Sequence, residues 1–201
     1  MIDFRDDQFL WVEKYRPQKI DECVLPESLK DTFKQYIAQG ELPHFLLSGT
    51  AGVGKTTVAK AMCEEVGCDY MVINGSDENG VDIIRFKIKN YASSMSLSGG
   101  RKVVIIDEAD YLTLNAQAVL RNAIEEFAVN CSFIFTCNYK TRIIEPLHSR
   151  CAVVDFSLKS NEKASMASTF FKRIQMILKS EDIAYEDAVI AELVKKHFPD
   201  F

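Results

Sequence analysis

Short runs that are almost wholly apolar alternate along this chain with stretches whose apolar residues recur every three or four positions. The runs are Phe45-Leu46-Leu47, Tyr70-Met71-Val72-Ile73, Lys102–Glu108, Cys131–Asn138 and Ala152–Phe156. Each predicts a strand buried on both faces. Between them the spacing is helical. Leu29–Gln39 reads as a short helix closed by Gly40, and another opens at Thr57. Val81, Ile84, Ile88, Tyr91 and Met95 define one apolar face. A further helix runs to about Phe127, with Ala116, Val119, Leu120, Ala123 and Phe127 as its stripe and Thr113 or Asn115 as its cap. Ser93–Gly100 is rich in serine and glycine and reads as a loop. Strands alternating with helices predict an α/β fold, with a parallel five-stranded sheet covered on both faces. From Ser160 the pattern changes to two helices, about Glu162–Lys179 and Glu186–His197, which places a domain boundary near Phe156–Ser160.

Composition narrows the class only a little. Of 201 residues 47% are hydrophobic, enough for a sizeable core. No apolar run approaches the ~20 residues needed to cross a bilayer. The opening MIDFRDDQFL is acidic where a signal peptide would be basic, so the expectation is a cytoplasmic protein with no membrane partner. Six cysteines show no C-x-x-C pair and no zinc spacing with the three histidines, and they read as buried free thiols. A net charge of −5 argues against polyanion binding by the whole surface and leaves room for a local basic stripe.

The chemistry is concentrated behind the first strand. Gly49, Thr50, Ala51, Gly52, Val53, Gly54, Lys55 and Thr56 complete the pattern G-x-x-x-x-G-K-[ST], with Thr57 continuing into a helix. Glycines let successive backbone N–H groups turn inward around phosphate oxygens at a helix N-terminus. In such a loop Lys55 reaches the β- and γ-phosphates of ATP, and the Thr56 hydroxyl helps to hold Mg2+. The strand ending in Asp107-Glu108 should bring its acids beside that loop, because ligands bind at the carboxyl ends of parallel strands. Asp107 then belongs to the magnesium shell and Glu108 polarises the attacking water. Asn138 either reaches the γ-phosphate or the lytic water from the next strand, or merely begins a turn with Tyr139. From its loop alone, Arg150 reads as a surface charge.

Taken together, these stretches resemble the AAA+ ATPase subunits of sliding-clamp loaders. The resemblance is to replication factor C small subunits and, more closely, to the large subunit of T-even-type phage clamp loaders. It rests on WVEKYRP (Trp11–Pro17), LPHFLLSGTAGVGKTT (Leu42–Thr57), INGSDENGVDIIRFKIKNYA (Ile73–Ala92), VVIIDEAD (Val103–Asp110), AQAVLRNAIEE (Ala116–Glu126) and SRC (Ser149–Cys151). It implies a P-loop AAA+ αβα domain over residues 1–157, followed by a small helical lid over 158–201 that is incomplete, with the family's collar domain absent. It also makes Asn138 the γ-phosphate sensor and Arg150 an arginine finger acting in trans on a neighbour's ATP. Val12, Tyr15, Arg16 and Pro17 become the adenine pocket. The phosphate loop keeps the glycines of the cellular loaders while replacing their Pro-Pro, and Asn79 stands where many of them carry arginine.

Arg85 and Lys89, four apart on one stripe, are candidate DNA contacts. Ile83 and Phe86 point away from the predicted core, and Tyr91, Met95 and Leu97 are weaker candidates for the clamp surface. The implied function is ATP-driven opening and loading of a polymerase sliding clamp onto primer–template DNA, within a ring that numbers five subunits by resemblance. The alternatives are another AAA+ remodeller, such as a helicase loader or branch-migration motor, and a non-hydrolysing nucleotide-binding scaffold.

Overall fold

The computed structural model describes residues 10–77, 80–96 and 99–198. Five parallel strands form one sheet in the order β2-β3-β4-β1-β5, with β1 Phe45–Ser48, β2 Tyr70–Asn74, β3 Lys102–Asp107, β4 Cys131–Cys137 and β5 Ala152–Asp155. The central runs β1, β3 and β4 are covered on both faces, as expected, whereas the edge run β2 is not and its Val72 is exposed. Phe45 and Leu47 face one core with Val103, Ile105 and Ile134, against α2 (Glu27–Ala38) and α3 (Lys55–Val66). Leu46 faces the other with Val104, Ile106, Phe133 and Phe135, against α4 (Val81–Ser93) and α5 (Leu114–Glu126). Val153, on the edge strand β5, stays exposed.

Several elements were not legible in the apolar pattern. These are the four-residue helices α1 (Trp11–Lys14) and α6 (Glu145–His148) and the single 3-10 turns at Ile20–Glu22, Ala109–Tyr111 and Lys140–Arg142. Each is too short to show a period. Between Thr113 and Asn115, the cap of α5 is Thr113, whose hydroxyl accepts from the Ala116 amide at 3.2 Å.

The expected apolar face of α4 needs one correction. Ile84 and Ile88 are buried, but Met95 lies beyond the helix and is 93% exposed. The reason is Lys102, itself buried, whose ammonium donates to the carbonyls of Tyr91 and Ser94 and ends the helix there. Ile83 and Phe86 do point outward, as their spacing requires. Leu97 and Asn79 lie outside the described residues. All six cysteines are free thiols, four of them buried. No described helix is long and apolar enough to cross a membrane. The two C-terminal helices are α7 (Lys163–Ser180) and α8 (Asp187–His197), which pack on each other.

Candidate nucleotide site

The strand order places three loop ends side by side, because β4 lies between β1 and β3. The loop after β1 turns with Gly54 in the left-handed region at φ 85°, directly before α3. At Gly49 even a methyl group would lie 2.8 Å from Phe156 Cβ, so only glycine lets the loop leave the sheet here. Among the described residues, the amides of residues 52–57 donate to no protein acceptor. They form a concave row of free donors at a helix N-terminus, which suits an anion.

Lys55 lies within this loop and is buried. Its ammonium donates to Gly49 O at 2.8 Å, Thr50 O at 2.7 Å and Asn138 Oδ1 at 2.9 Å. Burial lowers its pKa from the ordinary lysine value, with the acidic groups nearby opposing the shift. Lys55 and Asn138 are thus in contact across the strand boundary. Behind Asn138, the buried Asp110 accepts from the backbone amides of Asn138 at 3.3 Å and Tyr139 at 3.2 Å. Its Oδ1 is buried with no described partner.

Ile106 pairs with Phe135, and one residue further Asp107 meets Thr136. Asp107 Oδ1 accepts the Thr56 hydroxyl at 2.6 Å and the Thr136 hydroxyl at 2.5 Å, while Thr136 Oγ1 accepts the Glu108 amide at 3.1 Å. Glu108 is held at φ 53°, a conformation uncommon for a non-glycine residue, as the chain turns out of β3. The Thr56 proton points at Asp107, which leaves its oxygen lone pairs for a ligand. One hydroxyl and one carboxylate, both hard oxygens, suit Mg2+ completed by water and phosphate. No cluster of three His, Cys, Asp or Glu residues is arranged for a metal among the described residues, so the protein alone provides no closed cage.

A cavity of about 300 Å³ adjoins the loop. Val12, Tyr15, Arg16 and Pro17 line it, together with Gly52, Val53, Gly54 and Thr57 from the phosphate loop. Arg16 is ion-paired with Glu13, yet its Nε is buried without a described acceptor. A further wall comes from α7, through Met166, Phe170, Arg173 and Ile177.

Arg150 is not part of this group. Its guanidinium is engaged with Glu125, with Nε donating to Oε1 at 3.0 Å, and with Pro146 O at 2.8 Å. Arg85 and Lys89 are exposed and flank a groove between α4 and α5 that also includes Asn122 and Glu126. Sequence reasoning missed Thr136, Asp110, Gln117 and Arg173. Thr136 was the lone polar residue of FIFTC. Gln117, fully buried, bridges Leu112 O, Arg142 O and the Ile144 amide. Arg173 is the one cation on an otherwise apolar helix face.

A phosphate loop after the first strand of a parallel sheet, with an acid and a polar residue on the two strands beside it, defines a P-loop nucleotide-binding protein of the αβα class. Residues 45–157 match the family of ATPases associated with various cellular activities (AAA), and this chain belongs to that family. It is 44% identical over 205 residues to the sliding-clamp-loader large subunit of Enterobacteria phage T4, an alignment covering 100% of this chain and 64% of that protein. It is 41% identical over 190 residues to the replication factor C small subunit of Natronomonas pharaonis, covering 92% of this chain and 57% of that one. The chain therefore spans less than two thirds of the length of these relatives. Among solved structures, the Thermotoga maritima RuvB Holliday junction branch migration motor superposes with a TM-score of 0.67 at 23% identity, over 90% of this chain and 59% of that one. That last likeness is one of fold.

Proposed function

We propose that this chain is the ATPase part of a sliding-clamp loader subunit. It binds ATP with Mg2+ and, in an assembled ring, hydrolyses it to load a polymerase clamp onto primer–template DNA. The observation that carries the nucleotide reading is the joined set Lys55–Asn138 and Thr56–Asp107–Thr136 beside a row of free amides. The clamp-loader reading is supported by the names of the relatives and by Trp11, Val12, Tyr15, Arg16 and Pro17 of WVEKYRP lining the cavity next to the loop.

In this reading the phosphates sit on the amides of residues 52–57, and Lys55 leaves its carbonyl partners for the β- and γ-oxygens. Thr56 and Asp107 would hold Mg2+, which when bound would supply charge neutralisation on the phosphate oxygens. Glu108 orients a water in line with the γ-phosphorus and takes its proton. The water oxygen bonds to the γ-phosphorus as the bond from phosphorus to the bridging oxygen breaks, leaving ADP and phosphate. Asn138 reports the γ-phosphate to the rest of the sheet through the Asp110-held turn. Val12, Tyr15, Arg16 and Pro17 enclose the adenine.

Arg150 serves the nucleotide of a neighbouring subunit, consistent with its contacts lying away from Lys55. Residues 1–157 form the ATPase domain and 158–201 a lid. The ring has five subunits and works in the cytoplasm, that of the host cell if the source is a phage. Arg85 and Lys89 track DNA phosphates and the exposed Met95 faces the clamp, whereas Tyr91 packs against the core. The test is phosphate release by the full-length complex with its clamp. Recessed-end DNA should stimulate turnover; a rate indifferent to both clamp and DNA would overturn the clamp-loader reading and leave a generic AAA ATPase.

A further inference from the structure

The face that α7 turns toward the N-terminal segment is Met166, Phe170, Arg173 and Ile177, three apolar residues and one guanidinium. Arg173 Nη2 donates to Tyr15 O at 2.7 Å and Nη1 to Glu22 O at 2.6 Å. One planar fork therefore grips two carbonyls seven residues apart and closes the strap between them into a loop. That strap carries Arg16 and Pro17 into the cavity. Among the described residues no other donor reaches either carbonyl.

The strap's other end of attachment is α3, the helix that begins in the phosphate loop. There the Ile20 amide donates to Glu65 Oε2 at 2.8 Å, and Ile20 is fully buried. A second tie to α7 lies further along that helix, where the Tyr15 hydroxyl meets Ser180 and Glu181, each at 2.7 Å. The Lys14–Glu181 pair beside it is more exposed and adds little by itself. The strap is thus a bridge from the phosphate-loop helix to α7, and Arg173 is its fork on the α7 side.

We propose that Arg173 is a positioning residue that couples the placement of α7 to the shape of the base pocket, and so sets how fast a bound nucleotide escapes. The inference rests on the nucleotide reading of this cavity. A fork is needed because a lysine ammonium is a point donor, unable to span two carbonyls in fixed geometry. Without the fork the stretch between Tyr15 and Glu22 loses its hold on the middle of α7. It keeps the Tyr15 hydroxyl at the far end of that helix and Ile20 on α3, so it can shift and open the cavity at its outer wall. The phosphate loop keeps its shape, because the described contacts of Arg173 include none of its atoms.

The experiment measures association and dissociation of a fluorescent adenine nucleotide with the full-length protein, for wild type, Arg173→Gln and Arg173→Lys. Amide hydrogen exchange over residues 15–22 is followed with and without nucleotide. Dissociation should quicken about tenfold in Arg173→Gln, the effect of one charge-assisted hydrogen bond. Arg173→Lys should fall nearer to Arg173→Gln than to wild type, with association unchanged in both. The protection that nucleotide confers on the strap in wild type should be lost. A general loss of packing would instead slow association and lower the melting temperature without nucleotide. Should Arg173→Gln fail to fold, Arg173→Lys decides, since it keeps charge and stem. Wild-type release rates in the folded variants overturn the role of Arg173 alone; a wild type that binds no nucleotide overturns the nucleotide reading as well.

Discussion

Lys55 and Glu108 lie on neighbouring loops but act at different moments. Lys55 already has three oxygens around its ammonium, so a phosphate exchanges one set of acceptors for a charged one. Glu108 matters only when water attacks. Lys55→Ala should therefore weaken ATP binding by about tenfold or more, the worth of a charge-assisted bond. Glu108→Gln should bind ATP as wild type does and lose about 10²-fold or more in turnover. Equilibrium binding and steady-state hydrolysis on both variants check the division, and equal losses of affinity would refute it. His44 gives a pH signature of the fold itself. Its Nδ1 accepts the Phe133 amide at 3.1 Å, and burial, with Arg101 nearby, lowers its pKa below the ordinary histidine value. With the folded value depressed, its contribution is complete above about pH 6.5 and is lost as pH falls through the lower folded value. Denaturant midpoints at about pH 7.5 and about pH 5.5 should differ less in His44→Gln, which retains an acceptor without the titration.

At the scale of elements, α4 shows how a helix face can be read from spacing and its end cannot. Ile84 and Ile88 were legible as core because helical periodicity puts them on one side. The helix end is decided by Lys102, which comes from a strand and reaches the last carbonyls only in three dimensions. Beside that buried face, along the groove toward α5, α4 carries Arg85 and Lys89, both exposed. As phosphate contacts, each should lower the salt slope of DNA binding by about one when replaced by alanine, without altering ATP affinity or sequence preference. A salt titration of wild type and the two variants measures this. A common slope would make the stripe a solvated face, with Asp82 near Arg85 at 3.8 Å already a local counter-charge.

At the scale of the whole molecule, the position of Arg150 is informative. Its partners are Glu125 and Pro146, so within one chain it serves no phosphate. If it completes a neighbour's site, complexes mixing Arg150→Ala with Lys55→Ala subunits should recover activity that neither variant has alone. An arginine finger is worth about 10³–10⁵ in rate, so even partial recovery is measurable by phosphate release. No recovery in properly assembled mixtures would count against action in trans.

Local order along the chain was enough to determine the strand–helix alternation, the parallel sheet and the phosphate loop. Each depends on residues near one another in sequence: apolar runs of strand length, glycines at fixed offsets, a lysine and a threonine at a helix start. Asp107 and Asn138 were legible for a related reason, since strand ends of a parallel sheet gather at one edge. Which strands are neighbours was not. Only the order β2-β3-β4-β1-β5 puts Asn138 between Lys55 and Asp107, and gives Thr136 its two partners. The same holds for Asp110 behind Asn138, for Gln117 between α5 and the loop before α6, and for Arg173 on the strap 158 residues away from it in sequence. A hydrogen bond between distant residues leaves no periodicity in either segment, so tertiary packing alone decided which polar groups would meet.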